Sequence, residues 1–199
     1  DTDGQTSDRT FTLQSSLRYL TTSSARSYQL QISVFEKWKI SFCFDKESIV
    51  EATLQPVRRY KIDCAIIFCD ILIAPYILGQ KISFVKGEGP LLENMSLEEL
   101  ISLKPLPQKK QDLQNTYDAI KDIRKKLNKN KCLIGFCGGP WTVACYMING
   151  KGDTKFKAAI EKISKEKVLL VKLFDKLVDL SVTHLYQQYV SGCDTLMIF

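Results

Sequence analysis

The chain has 199 residues, enough for one domain or part of a larger one, and its 45% hydrophobic and 25% charged residues are typical of a soluble globular protein. Apolar runs such as 65–68 and 168–171 are too short to cross a membrane, and the polar N-terminus is unlike a signal peptide. The net charge is +6, and the lysine-rich stretches also carry Asp and Glu, so no single-sign patch predicts a nucleic-acid partner. A basic net charge does suit an anionic substrate.

The cysteines and the histidine indicate a reducing compartment and no metal site. The seven cysteines contain no Cys-x-x-Cys pair, and most lie in apolar stretches where Cys acts as a small hydrophobic residue. We therefore expect a cytoplasmic protein without disulfides. The only histidine, His184, has no Cys or His neighbour at ligand spacing and is expected to be structural.

The first 41 residues differ from the rest of the chain. Residues 1–41 are rich in Ser and Thr and have weak apolar periodicity, so we expect a divergent, disordered N-terminal segment. From residue 42 the pattern becomes regular. Asp45 is placed to cap a helix that runs to Arg59, with Pro56 as a point where it could kink. The continuous apolar run 64–69 then predicts a strand buried on both faces, which ends at Asp70.

Strands and helices alternate over the remainder of the chain. In chain order we expect a strand at 82–85, a loop at 86–90, a short helix opened by a capping box at 96–99, a helix at 111–128, a strand at 132–137, helices at 154–163 and 165–190, and a strand at 193–199. Gly192 is placed to end the last helix. This order predicts an α/β fold with a parallel sheet and three strong core strands.

The last strand is apolar and reaches Phe199. Its far edge would have no partner, and an exposed apolar edge favours aggregation. We therefore expect the natural folding unit to continue past Phe199.

Three blocks of sequence resemble the uroporphyrinogen decarboxylase family. They are residues 53–72, residues 78–90 with Phe84-Val85-Lys86-Gly87-Glu88-Gly89-Pro90, and residues 133–147 with Gly135-Phe136-Cys137-Gly138-Gly139-Pro140-Trp141. The third block resembles a family signature, and the closing residues 192–199 are similar to the family's third barrel strand. The resemblance is close over residues 42–199 and identifies them as the N-terminal half of such a protein.

This resemblance implies a fold and a reaction. The fold would be a partial (β/α)8 TIM-type barrel holding about the first three core strands with their helices. The reaction would be that of a carboxy-lyase of heme biosynthesis, which converts uroporphyrinogen III to coproporphyrinogen III by decarboxylating four acetate side chains. The family uses no cofactor or metal, and a homodimer is expected for a full-length member.

The resemblance also assigns site residues. Asp70 matches the family's invariant aspartate and is the expected catalytic residue, whereas Tyr146 and Phe136 match positions that bind the substrate. Arg18 is the third expected substrate-binding residue, because Arg18-Tyr19-Leu20 is what survives of the family's N-terminal anion site. A carboxylate after a buried strand could stabilise the cationic pyrrole ring through which an acetate loses CO₂.

Other interpretations of these residues remain open. Asp70 could simply cap the turn after its strand, Tyr146 could be a half-buried helix residue, and Arg18 a surface arginine. The chain could be an inactive, truncated remnant that binds a porphyrinogen or a partner. It could also be a corrinoid-linked methyltransferase of the same superfamily, although zinc held by His and Cys would be needed and His184 has no nearby Cys. We expect the 199 residues alone to show little or no activity.

Overall fold

The computed structural model describes residues 43–85, 89–152 and 156–199, so Arg18 and the predicted segment 1–41 lie outside it. The helices are α1 (Lys46–Arg59), α2 (Ile73–Leu78), α3 (Leu97–Ser102), α4 (Lys110–Lys126), α5 (Pro140–Asn149), α6 (Lys157–Lys165) and α7 (Lys167–Ser191). The strands are β1 (Cys64–Ile66), β2 (Ile82–Val85), β3 (Gly89–Leu92), β4 (Cys132–Cys137) and β5 (Thr195–Ile198). None of the described helices is long and apolar enough to cross a bilayer.

A three-stranded parallel sheet forms the centre of the described chain. Its strand order is β1-β4-β5, with Cys64 aligned to Cys132 and Ile134 aligned to Thr195. Strands β2 and β3 form a separate antiparallel pair. The predicted α/β fold with a parallel sheet is therefore confirmed, and helices connect β1 to β4 and β4 to β5, as parallel pairing requires.

Helices α1 and α4 cover one face of the sheet. The apolar stripe predicted on the helix before β4 is buried, since Ile120 and Ile123 are fully enclosed and Tyr117 is nearly so. They pack with Ile49 from α1 and Leu133 from β4 in one hydrophobic cluster. Each such aliphatic side chain contributes about 1.5–3 kcal/mol when fully buried, which makes this layer the main support of the sheet.

Local capping explains where several helices begin and end. The Asp45 carboxylate accepts a hydrogen bond of 2.8 Å from the Ser48 amide at the start of α1, as predicted. Helix α3 begins with the predicted capping box, in which Ser96 and Glu99 each bond the other's backbone amide. Helix α7 ends at Gly192, whose φ of +121° is a conformation that L side chains rarely adopt.

The capping box gives a stability prediction. We expect Ser96→Ala to lower the free energy of unfolding by about 1 kcal/mol, because the Glu99 amide loses its acceptor. Chemical denaturation of the wild type and the variant measures this. Ser102→Ala is the matched control, since the Ser102 hydroxyl bonds only the Glu99 carbonyl on the exposed end of the same helix. Equal losses in the two variants would contradict the assignment to the cap.

Strand β1 is shorter than predicted, and the reason lies in α7. The sequence predicts a strand over 64–69, but β1 ends at Ile66. In a parallel ladder the N–H and C=O of Phe136 would next bond residues 67 and 69. The Gln188 side chain takes both positions instead, accepting from the Phe136 amide at 2.8 Å and donating to its carbonyl at 2.8 Å. Beyond Ile67 the chain therefore leaves the sheet.

Smaller differences concern segments with weak signals. The predicted loop 86–90 is too long at its end, because Gly89 and Pro90 belong to β3 and pair with β2. Proline is tolerated there because a two-stranded ribbon has only edge strands. Helix α2 was not predicted, since its six residues carry no side-chain cap. The helices predicted at 154–163 and 165–190 lie at Lys157–Lys165 and Lys167–Ser191.

Candidate functional site

The turns that follow β1 and β4 meet at the carboxyl edge of the sheet. Asp70 lies in the first turn, between β1 and α2, and Gly138 lies in the second, between β4 and α5. A Cβ atom on Gly138 would stand 2.6 Å from the Val143 side chain and 3.0 Å from the Ile71 Cβ. Glycine at 138 therefore lets the turn after β4 pack closely against the turn that contains Asp70 and Ile71.

The Asp70 carboxylate is largely enclosed. Its Oδ1 accepts a hydrogen bond of 2.7 Å from the Leu72 amide, so it closes the turn that precedes α2 without capping the helix itself. Burial raises the pKa of Asp70, and the Leu72 hydrogen bond opposes that rise. The ionised form is thus disfavoured until a cation or further donors face it. A ligand that carries a positive charge or N–H donors would supply such partners.

This pKa shift predicts a stability change in the chain itself. Because the pKa of Asp70 is raised in the folded state, the contribution of this one group to stability is fully present below the ordinary pKa of 3.8 and is lost as pH rises through the folded-state pKa. We expect Asp70→Asn to unfold at higher urea concentration than the wild type at pH 7, and the two to converge near pH 3. Asparagine keeps an acceptor for the Leu72 amide but carries no charge.

Asp70→Ala is the control for this measurement. Alanine also removes the charge but leaves the Leu72 amide without its acceptor, so its gain should be smaller than that of asparagine. A wild type as stable as Asp70→Asn at pH 7 would show that burial does not penalise the carboxylate.

A cavity of about 60 Å³ lies next to Asp70, between the sheet edge and helices α2, α4 and α7. Aliphatic and polar side chains share its lining, and the polar or titratable ones are Asp70, Tyr117, Cys137, Ser181, Thr183 and His184. The Tyr117 hydroxyl lies 3.0 Å from His184 Nδ1, and both side chains are buried. Burial lowers the pKa of His184 to about 4, so the ring is neutral near pH 7.

The other predicted site residues lie elsewhere. Phe136 is partly buried on β4, with its ring edge-on to Phe199 at 5.3 Å between centroids. Tyr146 is partly buried on α5, where its ring lies 5.5 Å from that of Phe156 and its hydroxyl faces Gly152. Neither residue lines the cavity beside Asp70. The structure therefore does not bring Tyr146 and Phe136 together with Asp70 in that cavity.

The hydrogen bonds that Gln188 makes to Phe136, and the one that joins Tyr117 and His184, were not predicted from the sequence. A signal was present, because His184, Gln188 and Ser191 continue the buried stripe that Leu173 and Leu177 begin on α7. Polar side chains on the buried face of a helix need hydrogen-bond partners, so this pattern predicts that His184 and Gln188 bond groups on other elements.

The cysteines and acidic residues do not gather into a ligand cluster in the described part of the chain. All seven cysteines are unpaired thiols. No group of three or more His, Cys, Asp or Glu side chains that could hold a metal ion is present within 43–85, 89–152 and 156–199.

Comparison with known proteins identifies the family. The model of the uroporphyrinogen decarboxylase (URO-D) family matches residues 22–199, which is most of the chain. The chain belongs to the uroporphyrinogen decarboxylase family. The match begins at residue 22, before the region of close resemblance at 42–199, and Arg18 precedes it.

Bacterial uroporphyrinogen decarboxylases support this membership. The protein of that name from Rickettsia felis is 40% identical over 169 residues, which are 83% of this chain and 48% of the relative. That from Campylobacter jejuni is 40% identical over 162 residues, 80% of this chain and 47% of the relative. The chain thus spans about half the length of the curated relatives it matches.

A solved structure shares the fold. A methyltransferase from Methanosarcina mazei superimposes with a TM-score of 0.61, covering 86% of this chain and 50% of that one. Its sequence identity is 18%, so the likeness concerns the fold alone.

Proposed function

We propose that this chain forms the N-terminal half of a uroporphyrinogen decarboxylase, a carboxy-lyase that converts uroporphyrinogen III to coproporphyrinogen III. The observation that carries this proposal is 40% identity to the Rickettsia felis uroporphyrinogen decarboxylase over 83% of the chain. Each of four acetate groups would lose CO₂ and gain a proton, leaving a methyl group. The protein would act in the cytoplasm, in heme biosynthesis.

In this proposal Asp70 is the catalytic residue. Decarboxylation is easiest when the pyrrole ring is protonated, because the electrons of the breaking C–C bond then flow into a cation. A buried carboxylate at the carboxyl edge of the sheet is well placed to stabilise that cation. The raised pKa of Asp70 supports this role, since a partly buried carboxylate with one hydrogen-bond donor interacts strongly with a cation that reaches it.

Arg18, Phe136 and Tyr146 are the proposed substrate-binding residues. Phe136 lies on β4 outside the cavity beside Asp70, and its ring packs edge-on against that of Phe199. Tyr146 would reach a substrate carboxylate from α5, the helix that follows the turn containing Gly138. Arg18 would pair with an acetate carboxylate in fork geometry. Each of these roles is carried over from the family pattern.

The proposed fold is a partial (β/α)8 barrel, which in a full-length protein would close and form a homodimer. Two exposed apolar features support it. Strand β5 is the outer strand of the described sheet, and Ile198 is 65% exposed. The outward face of α7 carries an apolar stripe at helical spacing, made of Val168, Val171, Val178, Val182, Tyr186 and Tyr189. A following strand and helix of a barrel would cover both surfaces.

The test is anaerobic incubation with uroporphyrinogen, followed by chromatography that counts the carboxylates on each product. Three proteins are compared: the 199-residue chain, and two chimeras in which residues 22–199 or 1–199 replace the matching part of the Rickettsia felis relative. We expect both chimeras to form products with seven to four carboxylates. The shorter chimera keeps the N-terminal residues of the relative. If it is active and the longer one is not, residues 1–21 of this chain, which include Arg18, do not supply the anion site.

We expect the 199-residue chain alone to give no product. The substrate carries eight carboxylates, and each one that is buried needs a cation or several donors to offset its desolvation. Product from the chain alone would contradict this expectation. Folded but inactive chimeras beside an active parent would contradict the proposed function. Stoichiometric zinc in an inactive chimera would favour the methyltransferase alternative.

A further inference from the structure

The single histidine of the chain is buried beside the proposed catalytic carboxylate. His184 is 6% exposed and lines the same cavity as Asp70. Its Nδ1 lies 3.0 Å from the Tyr117 hydroxyl, which is itself buried. Burial raises the pKa of Tyr117, so its hydroxyl keeps its proton and is able to donate to Nδ1. The neutral imidazole then carries its own proton on Nε2.

The Nε2 atom of His184 is buried and lacks a hydrogen-bond partner among the described residues. A buried donor without a partner is costly, and such groups in folded proteins are commonly paired with protein atoms or ordered water. Tyr117 accounts for one side of the ring, so the partner of the other side must come from its surroundings.

The cavity can supply that partner. Its volume of about 60 Å³ is several times what one water molecule needs, and a stable water needs two to four polar contacts. Asp70 is the one carboxylate in its lining, and Ser181 adds a hydroxyl. The titratable groups that face it are Asp70, Tyr117, Cys137 and His184, and none of the described Lys or Arg residues lines it. Burial, and then the charge of Asp70, raise the pKa of the Cys43 and Cys69 thiols, so both thiols stay neutral.

We propose that Tyr117 and His184 form a buried relay that holds Asp70 through ordered water in the cavity they share. The Leu72 amide fixes Oδ1 of the carboxylate from one side, and the relay would donate to it from the other. His184 is thus a positioning residue that acts through Asp70. Only this catalytic consequence rests on the proposed function, since the hydrogen-bonded link itself can be measured in the isolated chain.

The closing experiment uses the fact that this chain has one histidine. Labelling with ¹⁵N-histidine gives one imidazole spectrum for the 199-residue chain. We expect the Nε2–H tautomer at pH 7, no titration of the ring between pH 8 and 5, and magnetisation transfer from water to the Nε2 proton. Asp70→Asn and Tyr117→Phe should both shift the ring nitrogen signals, whereas Tyr186→Phe, at an exposed tyrosine of the same helix, should not.

A ring that titrates near its ordinary pKa of 6.5, or ring signals unchanged by Asp70→Asn, would overturn the relay. The positioning role is tested separately in an active chimera. There His184→Gln and Tyr117→Phe should each lower kcat roughly 10- to 100-fold, the range for a slightly misplaced catalytic group, with little change in KM. If Asp70→Asn shifts the ring signals but kcat is unchanged in His184→Gln and Tyr117→Phe, the relay exists but His184 does not position Asp70 for catalysis. An inactive parent chimera would instead count against the proposed function.

Discussion

Replacing Asp70 with alanine in an active chimera is expected to lower kcat by about 10²–10³-fold, the usual effect of removing one preorganised electrostatic group. The ground for this is the position of the carboxylate, which is largely enclosed at the carboxyl edge of the sheet and held by the Leu72 amide. In the proposed reaction, the developing ring cation would lose the negative charge of Asp70 that stabilises it. Substrate binding should change less than kcat, because the charge on the ring appears mainly in the transition state.

One further variant tests the charge of Asp70, and a second one is a control at another aspartate. Asp70→Asn keeps the hydrogen bond from the Leu72 amide but removes the charge, so it should be nearly as inactive as alanine. Asp63→Ala changes an exposed aspartate at the opposite end of the same strand, and its activity should match the parent. Steady-state kinetics under anaerobic conditions measure all three. An asparagine variant with parental kcat would exclude charge stabilisation as the role of Asp70.

Gly135→Ala should destabilise the chain by about 3 kcal/mol, the largest stability change that we expect from a single methyl group. Gly135 lies in the central strand, β4, beneath the Gln188 side chain. An added Cβ would stand 2.4 Å from Gln188 Oε1, 3.0 Å from Cys193 Sγ and 3.1 Å from Leu196 Cδ2. Gln188 would have to move, and both of its hydrogen bonds to Phe136 would be lost or lengthened.

A double-mutant cycle tests whether Gln188 is the cause. Gln188→Ala alone leaves the Phe136 amide and carbonyl unpaired and should itself be destabilising. If the two residues clash, the double variant should lose less stability than the sum of the single variants. Urea unfolding of the four proteins gives the coupling. Additive losses would show that Cys193 and Leu196, rather than Gln188, resist the new methyl group.

Much of the secondary structure could be predicted from local chemistry. The strand over 132–137 was predicted at its observed bounds, because a short apolar run flanked by a lysine-rich segment and a Gly-Gly-Pro turn leaves few alternatives. The caps at Asp45, Ser96 and Gly192 were likewise predictable, since each satisfies backbone groups within a few residues of itself. Family membership followed from linear motifs, which need no structure to be recognised.

Long-range contacts decided the rest. The end of β1 depends on Gln188, more than 100 residues away in the sequence. Its carboxamide bonds the Phe136 amide and carbonyl, which a longer β1 would otherwise bond. The Tyr117–His184 pair is joined across 67 residues, and nothing near either residue in the sequence indicates its partner. Gly135 and Gly138 look like ordinary turn or strand glycines until the packed side chains of other elements are placed beside them. Such contacts arise only when the helices pack on the sheet, because the partners of a buried polar group are chosen by tertiary proximity rather than by sequence spacing.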